Sequence, residues 1–104
     1  MRLKKGVRTF IGWSEGILKV LPTIQTACDN YGVEFVVTSG VEGRHKQDSK
    51  HYEGNALDMR SREFNGGSMG EECRSFCEYL QAVLGGDYFV LQEGHHIHIQ
   101  YNGS

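Results

Sequence analysis

The sequence predicts an α+β domain in which two main helices pack on a small, mainly antiparallel sheet of about four strands. Two stretches with helical spacing of apolar residues, three short runs rich in β-branched and aromatic residues, and a fourth short apolar run predict this class. The predicted strands cover residues 34–38, 56–59, 88–92 and 96–101. The last two lie on either side of a short turn at 93–95 and therefore predict a hairpin.

The first helical stretch begins after Ser14, a residue type that commonly caps a helix N-terminus. Pro22 interrupts the stretch, so either the helix kinks there or a second helix has Pro22 in its first turn. Gly32 predicts the end of the stretch, because glycine readily adopts the left-handed conformation that terminates helices. The apolar residues at helical spacing are Ile17, Leu18, Leu21, Ile24 and Cys28.

The second helix is expected over residues 68–84, and the Gly85-Gly86 pair should end it. Its predicted inner face carries Cys73, Phe76, Cys77, Leu80 and Val83.

The size and charge of the chain limit the possible functions. With 104 residues and a formal net charge of -2, we expect one domain over 1–104 that binds neither nucleic acid nor a membrane surface. We interpret the basic cluster Arg2, Lys4, Lys5 and Arg8 as a solvated terminus. Three cysteines form a poor disulfide framework, so we expect buried free thiols and synthesis in a reducing cytoplasm, without a signal peptide.

Four residues in two segments have the chemistry of a catalytic zinc site. His51 and Asp58 lie seven residues apart, and His98 adds a second imidazole. Two nitrogen ligands and one oxygen ligand would leave a tetrahedral position open for water, as in catalytic zinc sites. Glu93 is placed to act as the base. We therefore expect one Zn²⁺ ion per chain, held by His51, Asp58 and His98.

Strand alternation supports this grouping. It places His96 and His98 on one face of their strand, with Ile97 and Ile99 on the other. Asp58 lies between two apolar residues of a short strand, where a carboxylate is costly unless it is paired or bound to a metal.

The ten-residue pattern Ser49-x-His51-x-x-Gly54-x-Ala56-x-Asp58, followed by His96-x-His98, resembles the D-Ala-D-Ala carboxypeptidase family of zinc peptidases. That family includes phage endolysins and belongs to a wider group with lysostaphin-type enzymes and the hedgehog signalling domain. Residues 14–101 share the resemblance. It implies a hedgehog/D-Ala-D-Ala peptidase-like fold and a zinc metallopeptidase that hydrolyses peptidoglycan stem peptides.

The resemblance also implies individual roles. Glu93 would be the general base and His96 would stabilise the transition state beside the metal. Arg44 would bind a substrate carboxylate and Ser49 would line the site. In its small size the chain resembles a phage lysis enzyme or a virion component, which would act on the cell wall after release. We expect a monomer.

Several alternatives remain at this point. If the base and the last ligand are three residues apart, His96 is the ligand and His98 its neighbour. Glu53 is a rival base. The bond cut could be that of an L-Ala-D-Glu endopeptidase or of a D-Ala-D-Ala carboxypeptidase. A non-catalytic, zinc-stabilised binding module of the hedgehog type would keep the three ligands and would not need the base.

Overall fold

A computed structural model describes residues 1–7, 12–40 and 54–103. In these residues the strands are β1 (Arg2–Leu3), β2 (Val36–Ser39), β3 (Ala56–Arg60), β4 (Tyr88–Gln92) and β5 (His96–Tyr101). The helices are α1 (Glu15–Leu18), α2 (Leu21–Tyr31) and α3 (Glu71–Leu84). The α+β class with two main helices is confirmed, and β4 and β5 have the bounds that the sequence predicts.

The first helical stretch divides into α1 and α2 because of its capping residues and proline. The Ser14 hydroxyl accepts a hydrogen bond from the Ile17 amide at 3.3 Å. Pro22 lies in the first turn of α2, where a missing amide hydrogen costs nothing. Gly32 ends α2 with a φ of 69°, as predicted. Leu18 lies on the exposed side of α1, so its assignment to the apolar face was wrong.

The sheet has five strands in the described residues, in the order β1-β2-β3-β5-β4. β1 runs parallel to β2, while the other neighbouring pairs are antiparallel. The sheet is therefore mixed and has one strand more than the sequence predicts. Arg2 and Leu3 belong to this additional strand, and the basic side chains of Arg2, Lys4 and Lys5 are exposed.

The core lies between the helices and one face of the sheet. Alternate residues of β3 and β5 supply Leu57, Met59, Ile97 and Ile99, which are fully buried. Facing them are Ile24 and Cys28 of α2 and Cys73, Phe76 and Leu80 of α3. Val83 near the end of α3 is 48% exposed, so its predicted place on the inner face of this helix was wrong.

The β4–β5 hairpin is held to α1 by a buried hydrogen bond. The Tyr88 hydroxyl donates to the Gly16 carbonyl oxygen at 2.6 Å. Gly16 itself lies so close to the Tyr101 ring that a Cβ atom at this position would be 2.3 Å from Tyr101 Cδ2. One side of the sheet is thus covered, and the other side of β3 and β5 carries the polar residues described next.

Candidate metal centre

Asp58 and His98 lie directly opposite each other on β3 and β5. Their neighbours Leu57 and Met59 point into the core, which places both polar side chains on the other face of the sheet. Asp58 is only 8% exposed, and His98 Nδ1 lies 3.0 Å from Asp58 Oδ1. The buried carboxylate is therefore paired, as the sequence required of an aspartate between two core residues.

His96 and Glu93 approach the same carboxylate from the β4–β5 turn. The Glu93 amide donates to the His96 carbonyl oxygen at 2.9 Å, which closes the turn. His96 Nε2 lies 2.9 Å from Glu93 Oε1 and 3.6 Å from Asp58 Oδ2. One ligand atom from each of Asp58, Glu93 and His96 lies within 4.8 Å of the others. These three residues can hold a metal ion.

His98 has a second partner, since its Nε2 lies 2.9 Å from Gln100 Oε1. Both ring nitrogens thus face oxygen atoms, an arrangement that suits the protonated imidazolium. The hydrogen bond with Asp58 raises the pKa of His98, and burial of the ring opposes that rise. The bond to Asp58 also fixes the direction of the carboxylate, which is what residues behind a metal ligand do in proteins.

The remaining predicted site residues, His51, Arg44 and Ser49, lie outside the described residues, as does the rival base Glu53. The described chain resumes at Gly54, whose carbonyl oxygen accepts a hydrogen bond from the Ser14 amide at 2.8 Å. Gly54 has a φ of 75°, and a Cβ atom there would lie 1.9 Å from the Gly12 carbonyl oxygen. The backbone of Gly54 thus approaches that of Gly12 so closely that only glycine fits there.

A cavity of about 340 Å³ is lined by Asp58 and His96, two of the three residues of this group. Its size is within the range of small-ligand sites. Most of its cationic lining has no signal in the sequence. Arg60 is the exception, because strand alternation places it on the same face of β3 as Asp58. The lining residues are Lys4, Thr38, Ser39, Asp58, Arg60, Arg62, His95 and His96.

A scan against protein-family models, a search of the curated proteins and a search of the solved structures each gave no match. No helix in the described ranges is both long and apolar enough to cross a membrane.

Proposed function

We propose that this protein is a zinc-dependent peptidase that hydrolyses amide bonds in peptidoglycan stem peptides, with the hedgehog/D-Ala-D-Ala peptidase-like fold. The observation that carries the proposal is the convergence of Asp58, Glu93 and His96, of which Asp58 and His96 line an open cavity. The zinc-peptidase motif assigns chemical roles to these same positions. A buried carboxylate and an imidazole nitrogen, completed by a further histidine, form a donor set that suits zinc.

We assign the metal to Asp58 and His96, together with His51. The expected ligand His98 and the alternative His96 lie on the same face of β5, two residues apart. His96 is favoured because its Nε2 is grouped with the Asp58 and Glu93 oxygens, whereas both nitrogens of His98 have oxygen partners. In this assignment His98 orients Asp58.

Catalysis would depend on Glu93, whose side chain is 45% exposed and therefore accessible to water. Glu93 would accept a proton from the attacking water and later donate it to the leaving amine. Bound Zn²⁺ would supply a Lewis acid that polarises the scissile carbonyl and acidifies that water. A module that only bound a partner would have no use for a carboxylate in this position.

The direct test is incubation of the zinc-loaded protein with purified peptidoglycan, with and without chelator, followed by mass spectrometry of the released ends. Loss of alanine would identify a carboxypeptidase, and a new stem-peptide N-terminus would identify an endopeptidase. Stoichiometric zinc without release from several types of cell wall would refute the peptidase and leave the binding module.

Two variants test the role of Glu93. Glu93→Gln should lose turnover by at least about a hundredfold, the lower range for a general base, while it retains zinc. Glu78→Gln makes the same chemical change on the exposed side of α3 and should retain both. Equal turnover in the two variants would contradict the assignment of the base.

The third ligand is tested by zinc content after dialysis. His96→Ala should lose zinc, whereas His98→Ala should retain it with weaker affinity, by about 10–100-fold for a residue behind the ligands. The reverse result would restore His98 as the ligand.

A further inference from the structure

The cavity is lined by positively charged side chains in addition to the residues that could hold a metal ion. Apart from Asp58 and the two histidines, its charged lining residues are Lys4, Arg60 and Arg62. Arg60 is neutralised, since its Nη1 lies 3.0 Å from Glu63 Oε1. In the described part of the chain, the side chains of Lys4 and Arg62 form no ion pair or hydrogen bond. Two uncompensated cations therefore border the cavity that holds the reactive group.

Both cations are attached to well-anchored backbone. The Lys4 amide donates to the Val37 carbonyl oxygen at 2.9 Å, which fixes Lys4 beside β2. Arg62 follows Ser61, which is fully buried and whose hydroxyl donates to Ser68 Oγ at 2.6 Å. The two charges thus come from segments that are far apart in sequence and that the sheet brings to one cavity.

The face of the sheet beyond His98 has the opposite character. Leu91 pairs with His98, and Phe89 pairs with Gln100, on β4 and β5. Both apolar side chains are substantially exposed, and they offer no group that binds an anion. The site face is therefore cationic at the β1–β3 side and apolar at β4, which gives an extended substrate a preferred direction.

We propose that Lys4 and Arg62 form a carboxylate-binding subsite beside the reactive group, and that the preferred stem peptide carries a free carboxylate there. Arginine can bind a carboxylate through two parallel hydrogen bonds, and lysine adds a point charge. The inference rests on the proposed peptidase function, and it deepens that function by naming the charge of the substrate. This pair is separate from Arg44, to which the family resemblance gives a carboxylate.

The test uses synthetic stem pentapeptides in which either the terminal carboxylate or the internal glutamyl carboxylate is free or amidated. Their dissociation constants are measured by calorimetry on the metal-free protein and on zinc-loaded Glu93→Gln, neither of which should cleave them. Amidation of one of the two carboxylates should weaken binding about tenfold, near the lower limit for a hydrogen bond to a charged group. The amide that weakens binding identifies which carboxylate is recognised.

The double variant Lys4→Gln/Arg62→Gln should bind the free and amidated forms equally at the carboxylate that this pair recognises, whereas discrimination due to Arg44 should remain. In the active enzyme the double variant should raise KM with little change in kcat. The control Lys5→Gln/Arg74→Gln removes the same charge from exposed positions that do not line the cavity, and it should still discriminate. If the parent protein binds the free and amidated forms of both carboxylates equally, or if the double variant discriminates at each carboxylate as the parent does, the subsite is refuted.

The two proposals can fail separately. Binding that depends on the carboxylate without hydrolysis of any wall peptide would keep the subsite and refute the peptidase. Hydrolysis without discrimination would refute the subsite alone. Neither binding nor hydrolysis would refute both.

Discussion

Replacement of Asp58 by asparagine tests the proposed metal centre with little change in shape. Asparagine has nearly the same volume as aspartate, and its carbonyl oxygen can still accept the hydrogen bond from His98 Nδ1, now 3.0 Å away. The negative charge is lost. A neutral amide is a poor ligand for zinc, which prefers carboxylate, imidazole and thiolate groups. The substitution therefore separates the folding role of Asp58 from its role in metal binding.

The two effects differ in size. A hydrogen bond to a charged group contributes about 1.5–3 kcal/mol and a neutral one about 0.5–1.5 kcal/mol, so the exchange weakens this contact by about 1 kcal/mol. Burial of a carboxylate that is 8% exposed opposes folding, and its removal offsets part of that loss. The free energy of unfolding of the metal-free variant should thus differ from that of the metal-free parent by no more than about 1 kcal/mol.

Zinc should raise the thermal stability of the parent protein but not that of the variant. At a free zinc concentration 100 times the dissociation constant, binding stabilises the folded parent by about 2.7 kcal/mol. For a domain of this size that corresponds to a rise in Tm of roughly 10–20 °C. Asp58→Asn should show almost no rise.

Thermal melts followed by circular dichroism, with zinc and with chelator, measure this difference. Metal content after dialysis provides an independent measurement. The control Asp87→Asn makes the same change at an exposed position at the far end of the β4–β5 hairpin, and it should respond to zinc as the parent does. A zinc-induced rise of equal size in Asp58→Asn, or no rise in the parent, would refute the assignment of the metal to this carboxylate.

Further predictions concern the scaffold behind the site. Ile97→Ala should lower the free energy of unfolding by about 2–5 kcal/mol, because removal of a fully buried side chain leaves a cavity. Denaturant-induced unfolding measures this change. A loss under about 1 kcal/mol would contradict the burial of Ile97 in the core. Tyr88→Phe should cost about 1–3 kcal/mol in the same assay, because the buried Gly16 carbonyl loses its donor, and an unchanged midpoint would argue against that bond. Burial raises the pKa of the Cys28 and Cys77 thiols from 9.0 to about 12. The thiols of the unfolded chain lose their protons at lower pH than the buried thiols do, so the free energy of unfolding should be unaffected below pH 9 and should fall as the pH rises towards 12. Thermal melts from pH 8 to 11, compared with those of Cys→Ala variants, measure this fall. The absence of a decline that depends on the thiols would contradict the expected link between thiol ionisation and stability. For the same reason both thiols should resist alkylation at pH 8 until denaturant is added, and rapid modification of the native protein would show that they are exposed.

The elements that the sequence predicted best have strong local signals. Ser14, Pro22 and Gly32 act on their own backbone neighbourhood, so the start, the interruption and the end of the first helical stretch follow from residue type alone. The alternation of histidine and isoleucine in β5 likewise assigns each side chain to a face of the strand. Strand β1 was missed because two residues carry no periodicity, and a parallel pairing with a distant strand has no local signal.

The sequence alone determined the α+β class, the predicted chemistry of the metal site and the face of β5 on which its histidines lie. These properties depend on residue type, on short-range spacing and on the resemblance of a local motif. Only the tertiary structure decided that His98 lies opposite Asp58, because strand register joins these residues, which are forty positions apart in the sequence. The tertiary structure alone also brought Lys4 and Arg62 to one cavity, since the charge of a site depends on which chain segments the sheet places side by side.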